Sequence, residues 1–258
     1  MDNAHCCDVT VLELRPVGQS ERPGEFYELR LTNPGWKRWH PGQFVMLRPV
    51  SWGLEPLWGR PFSICGVDDE ALTVFFQAIG RGTRRLAELA EGDKVTVWGP
   101  LGTYFAVEPD TPTLMLAGGI GIAPFRGYVE RHPNPANLRL FLAHRMPLGC
   151  YPYDRFAGER AECLRELNPK DLEAIIARLR ALVEEYREGL ILCCGPTPFM
   201  RTVRNFALEF GARAQLSLEN RMACGVGACL GCVAKDGEGH HVQTCLRGPV
   251  LWADAVQL

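Results

Sequence analysis

Residues 1 to about 108 alternate between short apolar segments and turns. Apolar positions alternate with polar ones, or run together, in a series of strand-length segments: Val9–Leu14, Glu25–Leu31, Gln43–Arg48, Leu72–Gln77 and Lys94–Trp98. The turns between them are rich in Gly, Pro, Asn and Asp: Pro23-Gly24, Asn33-Pro34-Gly35, Pro41-Gly42 and Glu91-Gly92-Asp93. Many short strands at this spacing are typical of a β-barrel or a β-sandwich. A helix at about Thr83–Leu89 is predicted to interrupt them.

The pattern changes near Pro109–Pro112, where continuous apolar runs replace the alternating ones. Three such runs, typical of buried parallel strands, follow along the chain: Thr113–Ala117, Leu138–His144 and Leu190–Cys194. The first leads through Gly118-Gly119-Ile120-Gly121 into a helix that opens near Pro124, and the third leads into a helix at about Thr197–Phe210. A strand, a glycine-rich turn and a helix in this order indicate an α/β domain.

A longer helix is predicted at about Asp171–Glu188, between the second and third of these strands. Its apolar residues recur at helical spacing and predict a core-facing stripe: Leu172, Ile175, Ile176, Leu179, Leu182, Val183 and Tyr186. Asn168 and Pro169 suit the cap and the first turn, and Gly189 suits the end of the helix.

Composition narrows the class of protein. The chain has 258 residues, enough for two domains and a small appendage, and 47% of them are hydrophobic, which allows a sizeable core. A net charge of −2 gives no sign of a nucleic-acid or membrane-surface footprint. No apolar run approaches the ~18 residues of a membrane span, and the start MDNAHCC lacks the features of a signal peptide. We therefore expect a soluble, cytoplasmic protein.

Four of the 11 cysteines form a cluster near the C-terminus. Cys224, Cys229, Cys232 and Cys245 have the spacing C-x4-C-x2-C-x12-C, and the first three match the spacing of ferredoxin-type [2Fe–2S] ligands. Gly225, Gly227 and Gly231 lie among them and would let the backbone approach a cluster in left-handed conformations. A four-cysteine zinc knot is the alternative, although zinc sites usually pair two CxxC units. The other cysteines are expected to be plain thiols, because no signal peptide favours disulfides.

Two motifs in the first half could bind a phosphate group, and each is ambiguous alone. Arg60-Pro61-Phe62-Ser63 combines a guanidinium, which can hold a pyrophosphate, with a hydroxyl. Gly80-Arg81-Gly82-Thr83 opens a helix, and it is either an anion site or an ordinary turn with a threonine cap. Gly118–Gly121 is not a full GxGxxG motif, so it does not establish dinucleotide binding.

Taken in order, these fragments resemble the ferredoxin–NADP reductase superfamily, whose sequences contain runs like RPFS, GRGT, GPLG, AGGIGIAPF and CCGPTPFM. The run LENRMACGVGACLGC, with HVQTCLRGPV after it, is similar to the iron–sulfur electron-transfer subunits of dihydroorotate dehydrogenase B. The resemblance covers essentially the whole chain. It implies an α+β multidomain fold with an N-terminal antiparallel β-barrel that binds FAD over 1–108. An α/β parallel-sheet domain for NAD would follow over 109–212, and a small [2Fe–2S] domain over 213–258.

The resemblance also implies a set of functional residues and partners. Those that would contact FAD are Arg60, Pro61, Phe62, Ser63, Phe75, Phe76, Gln77, Gly82 and Thr83. Gly119, Gly121 and the catalytic Cys194 would lie near the nicotinamide of NAD(H), and the clustered cysteines would bind the iron–sulfur cluster. The partner would be a separate FMN-containing catalytic subunit that oxidises dihydroorotate to orotate in pyrimidine biosynthesis, assembled with this chain as a heterotetramer.

Two departures from the family pattern keep other functions open. Where the family has a further strand and an acidic, glycine-rich loop, residues 151–170 read YPYDRFAGERAECLRELNPK. That loop helps to shape the family's nucleotide site, so the sequence indicates NAD binding less firmly than FAD binding. Leu246-Arg247 replaces an acidic residue before Gly248-Pro249, which would alter the charge around the cluster. The chain could instead serve a hydrogenase, a sulfide dehydrogenase or a ferredoxin:NADP oxidoreductase, or be a zinc-stabilised module without enzymatic activity.

Overall fold

The computed structural model describes residues 4–18, 25–156 and 160–258, which form three sheets and the helices packed against them. The predicted turn Pro23-Gly24 lies outside the described residues. None of the helices in the described ranges combines the length and the apolar character needed to cross a bilayer.

A closed antiparallel barrel forms the N-terminal part of the molecule. Its strands are β1 (His5–Val17), β2 (Phe26–Thr32), β3 (Phe44–Pro49), β4 (Arg60–Val67), β5 (Ala71–Gln77) and β6 (Lys94–Leu101), with helix α1 (Arg81–Leu86) between the last two. They close in the order β1-β2-β5-β4-β3-β6. Buried aliphatic residues from all around the barrel, such as Val11, Leu29, Val45, Ile64 and Val95, fill its interior. The predicted barrel is confirmed, and the sandwich alternative is wrong.

The rest of the chain forms a mostly parallel sheet and a small antiparallel one. Its elements are β7 (Thr113–Gly118), α2 (Ala123–Arg131), β8 (Leu138–His144), β9 (Ala161–Arg165), α3 (Pro169–Glu185), β10 (Leu190–Cys194), α4 (Thr197–Phe210), β11 (Ala214–Ser217), β12 (Val233–Asp236), β13 (His241–Gln243), α5 (Thr244–Arg247), β14 (Val250–Trp252) and β15 (Val256–Gln257). The larger sheet has the order β14-β11-β10-β7-β8-β9, and only β14 runs antiparallel to its neighbour. The smaller sheet has the order β13-β12-β15.

The large sheet differs from the sequence-based expectation in two places. Strand β9 lies within the run from 151 to 170, where we expected the family's additional strand to be missing, and it pairs in parallel with β8. That expectation was wrong because β9 is a half-buried edge strand without an apolar run. Strands β11 and β14 also belong to this sheet, so its strands come from both sides of the domain boundary proposed at residue 212.

Helix α3 begins as its sequence predicts. The Asn168 side chain accepts hydrogen bonds from the backbone N–H groups of Lys170 and Asp171, and Pro169 occupies the first turn. Ile175, Leu179, Leu182 and Val183 are buried against the sheet, whereas Leu172 and Ile176 of the predicted stripe are 40% and 38% exposed. The apolar face is therefore narrower than the sequence pattern indicates.

Removing this cap should destabilise the fold measurably. We expect Asn168→Ala to lower the free energy of unfolding by about 1 kcal/mol, because two N–H groups of the first turn lose their acceptor. Asn168→Ser keeps an acceptor without setting a second carboxylate against Asp171, whose Oδ2 accepts from the Asn168 amide at 2.9 Å, and it should stay close to wild type. Urea unfolding followed by far-UV circular dichroism measures both, and equal loss in the two variants would contradict this role of the cap.

The barrel and the large sheet share one core. Phe26, Cys65 and Phe75 from the barrel belong to the same buried apolar group as Met115 and Tyr128 from the sheet domain. A largely buried ion pair reinforces the junction, since Arg126 on α2 lies 2.8 Å from Glu28 on β2. The two parts therefore hold a fixed relative position, and a cleft opens along their junction.

Candidate functional site

The cleft between the barrel and the large sheet has a volume of about 590 Å³, within the range of cofactor sites. Its barrel wall is formed by the ends of adjacent strands β4 and β5, which carry residues predicted as flavin contacts: Arg60, Pro61, Phe62, Ser63, Phe75, Phe76 and Gln77. Its opposite wall comes from the carboxyl ends of β7, β10 and β11, the edge where α/β sheets bind their ligands.

Arg60 is the cationic group of the barrel wall. Its guanidinium lies 5.9 Å from the centre of the Trp52 ring and donates to the carbonyl oxygens of Trp58 and Gly59 at 2.8 and 3.0 Å. Burial and the neighbouring charge of Arg81 lower the pKa of Arg60. No carboxylate among the described residues pairs with Arg60, so an anion such as a phosphate would relieve both effects.

The glycine turn before α1 packs against Arg60 and is held together by hydrogen bonds of its own residues. Gly82 is buried, and a Cβ atom there would lie 2.6 Å from Nε of Arg60, so a larger residue would displace the guanidinium. The Thr83 hydroxyl accepts hydrogen bonds from the N–H groups of Ile79 and Gly80 and donates to the Gly80 carbonyl. Thr83 therefore caps this short helix while it also lines the cleft.

The opposite wall depends on a close approach of two main-chain segments. A Cβ atom at Gly121 would overlap the carbonyl oxygen of Cys194, so only glycine lets the turn after β7 meet the end of β10. Gly121 and Cys194 line the cleft, and Gly119 is adjacent to it with a φ of +54°. Burial raises the pKa of the Cys194 thiol to about 12, while a hydrogen bond with Ser217 opposes this and the charge of Glu219 adds to it.

The segment Leu218–Ala223 forms the floor of the cleft and leads directly to the clustered cysteines. Asn220 donates to the Val233 carbonyl at 3.2 Å and to the Thr244 hydroxyl at 2.9 Å, next to two of those cysteines. Our sequence reasoning missed this segment, although the polar run LENR before the first cysteine could have indicated it.

The clustered cysteines lie in two pairs behind this floor. Cys224 is hydrogen-bonded to Cys229, and Cys232 to Cys245. Cys232 and Cys245 are buried with Phe44 and Met222, which also line the cleft, whereas Cys229 is exposed. The cysteine loop therefore shares a wall with the cleft on one side and meets solvent on the other.

Backbone N–H groups surround the cysteine sulfurs. Val226 and Cys229 donate to Sγ of Cys224 at 3.4 Å, and Gly227 donates to Sγ of Cys245 at 3.1 Å. Burial raises the pKa of Cys224, but these N–H donors outweigh it and lower the pKa to about 7. Such donors favour thiolates and adjust the potential of a bound cluster.

Backbone conformation and close contacts in the cysteine loop require glycine at two of its three glycine positions. Gly225 and Gly227 have φ values of +72° and +79°, and a Cβ atom at Gly225 would lie 2.6 Å from Cγ of Met46. The left-handed conformation expected at Gly231 lies instead at Leu230, with φ of +54°. The Trp98 indole donates to the Cys224 carbonyl at 2.8 Å, which ties the loop to the barrel.

The donor set fits a two-iron cluster in chemistry and arrangement. A [2Fe–2S] cluster takes four thiolates, two on each iron, and the two hydrogen-bonded pairs match that division. Within the described ranges, no three or more His, Cys, Asp or Glu side chains converge as a single metal ion would require.

The predicted site residues thus fall into two neighbouring groups. Most of those assigned to FAD or NAD(H) line the cleft, while Gly82 lies under Arg60 and Gly119 beside the cleft. Cleft residues that sequence reasoning did not identify include Phe44, Trp58, Ile79, Ser217, Glu219 and Met222. They come from loops and strand ends without a recognisable motif.

Comparison with known proteins places this arrangement in a family. Residues 219–257 match the family described as the iron–sulfur cluster binding domain of dihydroorotate dehydrogenase B. The chain is 30% identical over 253 residues to the dihydroorotate dehydrogenase B (NAD(+)) electron transfer subunit of Caldanaerobacter subterraneus subsp. tengcongensis, covering 95% of this chain and 98% of that protein. It is 32% identical over 235 residues to the subunit of the same name from Bacillus velezensis, covering 84% and 87%.

Solved structures share the fold at lower sequence identity. A structure of the NADH-dependent reduced ferredoxin-NADP oxidoreductase, described in connection with flavin-based electron bifurcation, superposes with a TM-score of 0.79 at 22% identity, covering 96% of this chain and 89% of that one. The ferredoxin reductase in carbazole 1,9a-dioxygenase gives a TM-score of 0.63 at 18% identity, covering 81% and 67%. At these identities the likeness concerns the fold alone.

Proposed function

This chain belongs to the family of dihydroorotate dehydrogenase B electron transfer subunits, and on that basis we propose that it passes electrons between NAD(H), FAD and one [2Fe–2S] cluster. The observation that carries the proposal is the wall shared by the cleft and the cysteine loop. Phe44 and Met222 line the cleft and pack against Cys232 and Cys245, so a flavin in the cleft would lie close to a cluster on these cysteines.

The cofactors supply complementary chemistry: NADH delivers two electrons as a hydride, an iron–sulfur cluster accepts one at a time, and a flavin can do both. The residues of this chain position them. Arg60 would hold the pyrophosphate of FAD, with Gly82 packed against its guanidinium and Thr83 capping the same turn. Phe62, Ser63 and the end of β5 line the cleft on the flavin side.

Gly121 and Cys194, on the opposite wall, would hold the nicotinamide of NAD(H). This wall lies at the carboxyl end of the parallel strands, and the glycine turn after β7 leaves it open. Strand β9, which we had expected to be missing, forms the edge of the large sheet beside β8. Cys194 would contribute a neutral thiol to this wall, because burial raises its pKa to about 12.

The exposed edge of the cysteine loop faces the catalytic subunit. Cys229 is exposed, and the apolar residues Val226, Leu230 and Leu246 around the loop are exposed as well. An apolar rim of this kind favours a protein partner. The partner is the FMN-containing subunit that converts dihydroorotate to orotate, which assigns the chain to pyrimidine biosynthesis.

Reconstitution tests this assignment. Purified chain and catalytic subunit, mixed anaerobically with dihydroorotate and NAD⁺, should form orotate and NADH together, and neither protein alone should reduce NAD⁺. A competent catalytic subunit that forms no NADH when this chain carries its full flavin and iron would contradict the proposed partner.

The raised pKa of Cys194 predicts a simple pH dependence. A thiol whose pKa rises from 9.0 to about 12 stays protonated below pH 9 and ionises only as the pH rises beyond it. We therefore expect the pH profile of flavin reduction by NADH to keep its shape below pH 9 in Cys194→Ser, measured by stopped-flow absorbance. An ionisation below pH 9 that disappears in this variant would show that Cys194 acts as a thiolate.

A further inference from the structure

An exposed indole lies at the end of the cleft where Arg60 is found. Trp58 is 52% exposed and Ile79 66% exposed, yet both line the cleft. Leu54, in the same loop as Trp58, is 86% exposed and does not line it. Exposed apolar side chains are common on protein surfaces, but large ones that line a cleft together with a cationic group are typical of a ligand site.

The loop that carries Trp58 is held in place on both sides. Arg48 donates to the Leu57 carbonyl at 2.9 Å, and Arg60 donates to the Trp58 carbonyl itself at 2.8 Å. Glu55 forms an ion pair with Arg81 on α1 at 2.5 Å. Gly59 is so close to Trp98 that a Cβ atom there would overlap the indole. The indole of Trp58 is thus presented by a fixed backbone, which reduces the entropy cost of stacking on it.

Ile79, which lines the same cleft, is also held by a hydrogen bond of its backbone. Its N–H donates to the Thr83 hydroxyl at 3.1 Å, within the turn that begins α1. Trp58 and Ile79 therefore line the cleft together with Arg60, and they do so from two separately anchored segments.

The order of residues around the start of β4 places Trp58 and Ser63 on opposite sides of Arg60 in the chain. Ser63 is three residues after Arg60 in an extended strand, about 10 Å further along. Trp58 precedes Arg60 by two residues and lies on the opposite side of it in the chain. With the pyrophosphate at Arg60 and the flavin ring toward Ser63 and Cys194, the remaining part of FAD, its adenosine, extends toward Trp58.

We propose that Trp58, together with Ile79, forms the stacking platform for the adenine of FAD and so selects the dinucleotide flavin over FMN. A purine offers a flat face to an indole, and the adjacent guanidinium holds the phosphates between the two ends. This inference rests on the proposed binding of FAD in the cleft, because the direction of the ligand follows from it.

Flavin titration of the purified protein after removal of its bound flavin tests the platform. Trp58→Ala should weaken FAD binding about ten- to a hundredfold, the usual loss when a base loses its aromatic partner, and leave FMN binding unchanged. ADP, which carries the adenine without the flavin, should lose affinity in parallel. Trp58→Phe should restore most of it, and Leu54→Ala is the matched control because it removes an exposed apolar side chain from the same loop.

Each alternative outcome has a definite meaning. Equal weakening of FAD and FMN in Trp58→Ala would show that the indole supports the loop, and unchanged FAD affinity would also overturn the inference. If the variant keeps its FAD affinity and loses the catalytic subunit instead, the indole belongs to a protein interface. Wild-type protein that binds neither flavin would contradict the proposed function itself, together with this inference.

Discussion

Cys232→Ala is expected to purify without its iron–sulfur cluster and to lose electron transfer to the catalytic subunit completely. Cys232 is buried with Cys245 against Met222 and Phe44, so no other ligand and no water can replace its thiolate. A [2Fe–2S] cluster takes four cysteine thiolates, so the substitution leaves one iron without a ligand. Iron content, the visible spectrum and electron paramagnetic resonance after reduction measure the loss.

Two comparisons separate this effect from general unfolding. Cys163→Ser, at a half-buried cysteine of the edge strand β9, which pairs with β8 and not with the cysteine loop, should keep its full iron content. Flavin should remain in Cys232→Ala, because Arg60 and the ends of β4 and β5 that would hold it belong to the barrel and not to the cysteine loop. A Cys232→Ala protein with two irons per chain would show that the ligands have been assigned wrongly.

Arg60→Ala is expected to weaken FAD binding about ten- to a hundredfold, the loss typical of a hydrogen bond between charged groups. The guanidinium is unpaired with any carboxylate in the described part of the chain, and it is fixed by Trp52, Gly82 and the Trp58 carbonyl. It therefore meets the pyrophosphate without first breaking an ion pair. Flavin retained through gel filtration and the dissociation constant from fluorescence titration both report the change.

Arg84→Ala is the matched control for this variant. Arg84 lies on α1, the helix whose first turn contains Gly82 beside the Arg60 guanidinium, but it is exposed and does not line the cleft, so its loss removes a charge of equal size nearby. If Arg60→Ala and Arg84→Ala lower the affinity for FAD equally, the effect comes from the positive charge of the region as a whole. A direct contact between Arg60 and FAD would then be contradicted.

The sequence predicted the large elements well because burial leaves a clear pattern. Strands Leu138–His144 and Leu190–Cys194 and helix Thr197–Phe210 have the bounds that their apolar runs indicated. The cysteine spacing also identified a set of residues that the structure brings together. In these cases the local pattern and the tertiary environment agree.

The parts that the sequence did not predict depend on contacts between distant residues. Strand β9 forms because it pairs with β8 and because Glu162 binds Arg178 through hydrogen bonds of 2.7 and 2.8 Å, neither of which appears in a local pattern. Trp58 precedes a recognisable motif, but only the fold shows that its indole lines the cleft. The position of the floor at Leu218–Ala223 likewise depends on two flanking elements, the large sheet before it and the cysteine loop after it.

An anaerobic visible spectrum of the purified protein, recorded before and after NADH with flavin and iron assayed on the same sample, tests the central claim most directly. The account predicts one FAD and two irons per chain, with flavin absorption that bleaches on NADH and a cluster signal that follows it. A colourless protein that contains zinc would contradict the electron-transfer role. Flavin and iron that NADH leaves unchanged would contradict the nicotinamide site assigned to Gly121 and Cys194.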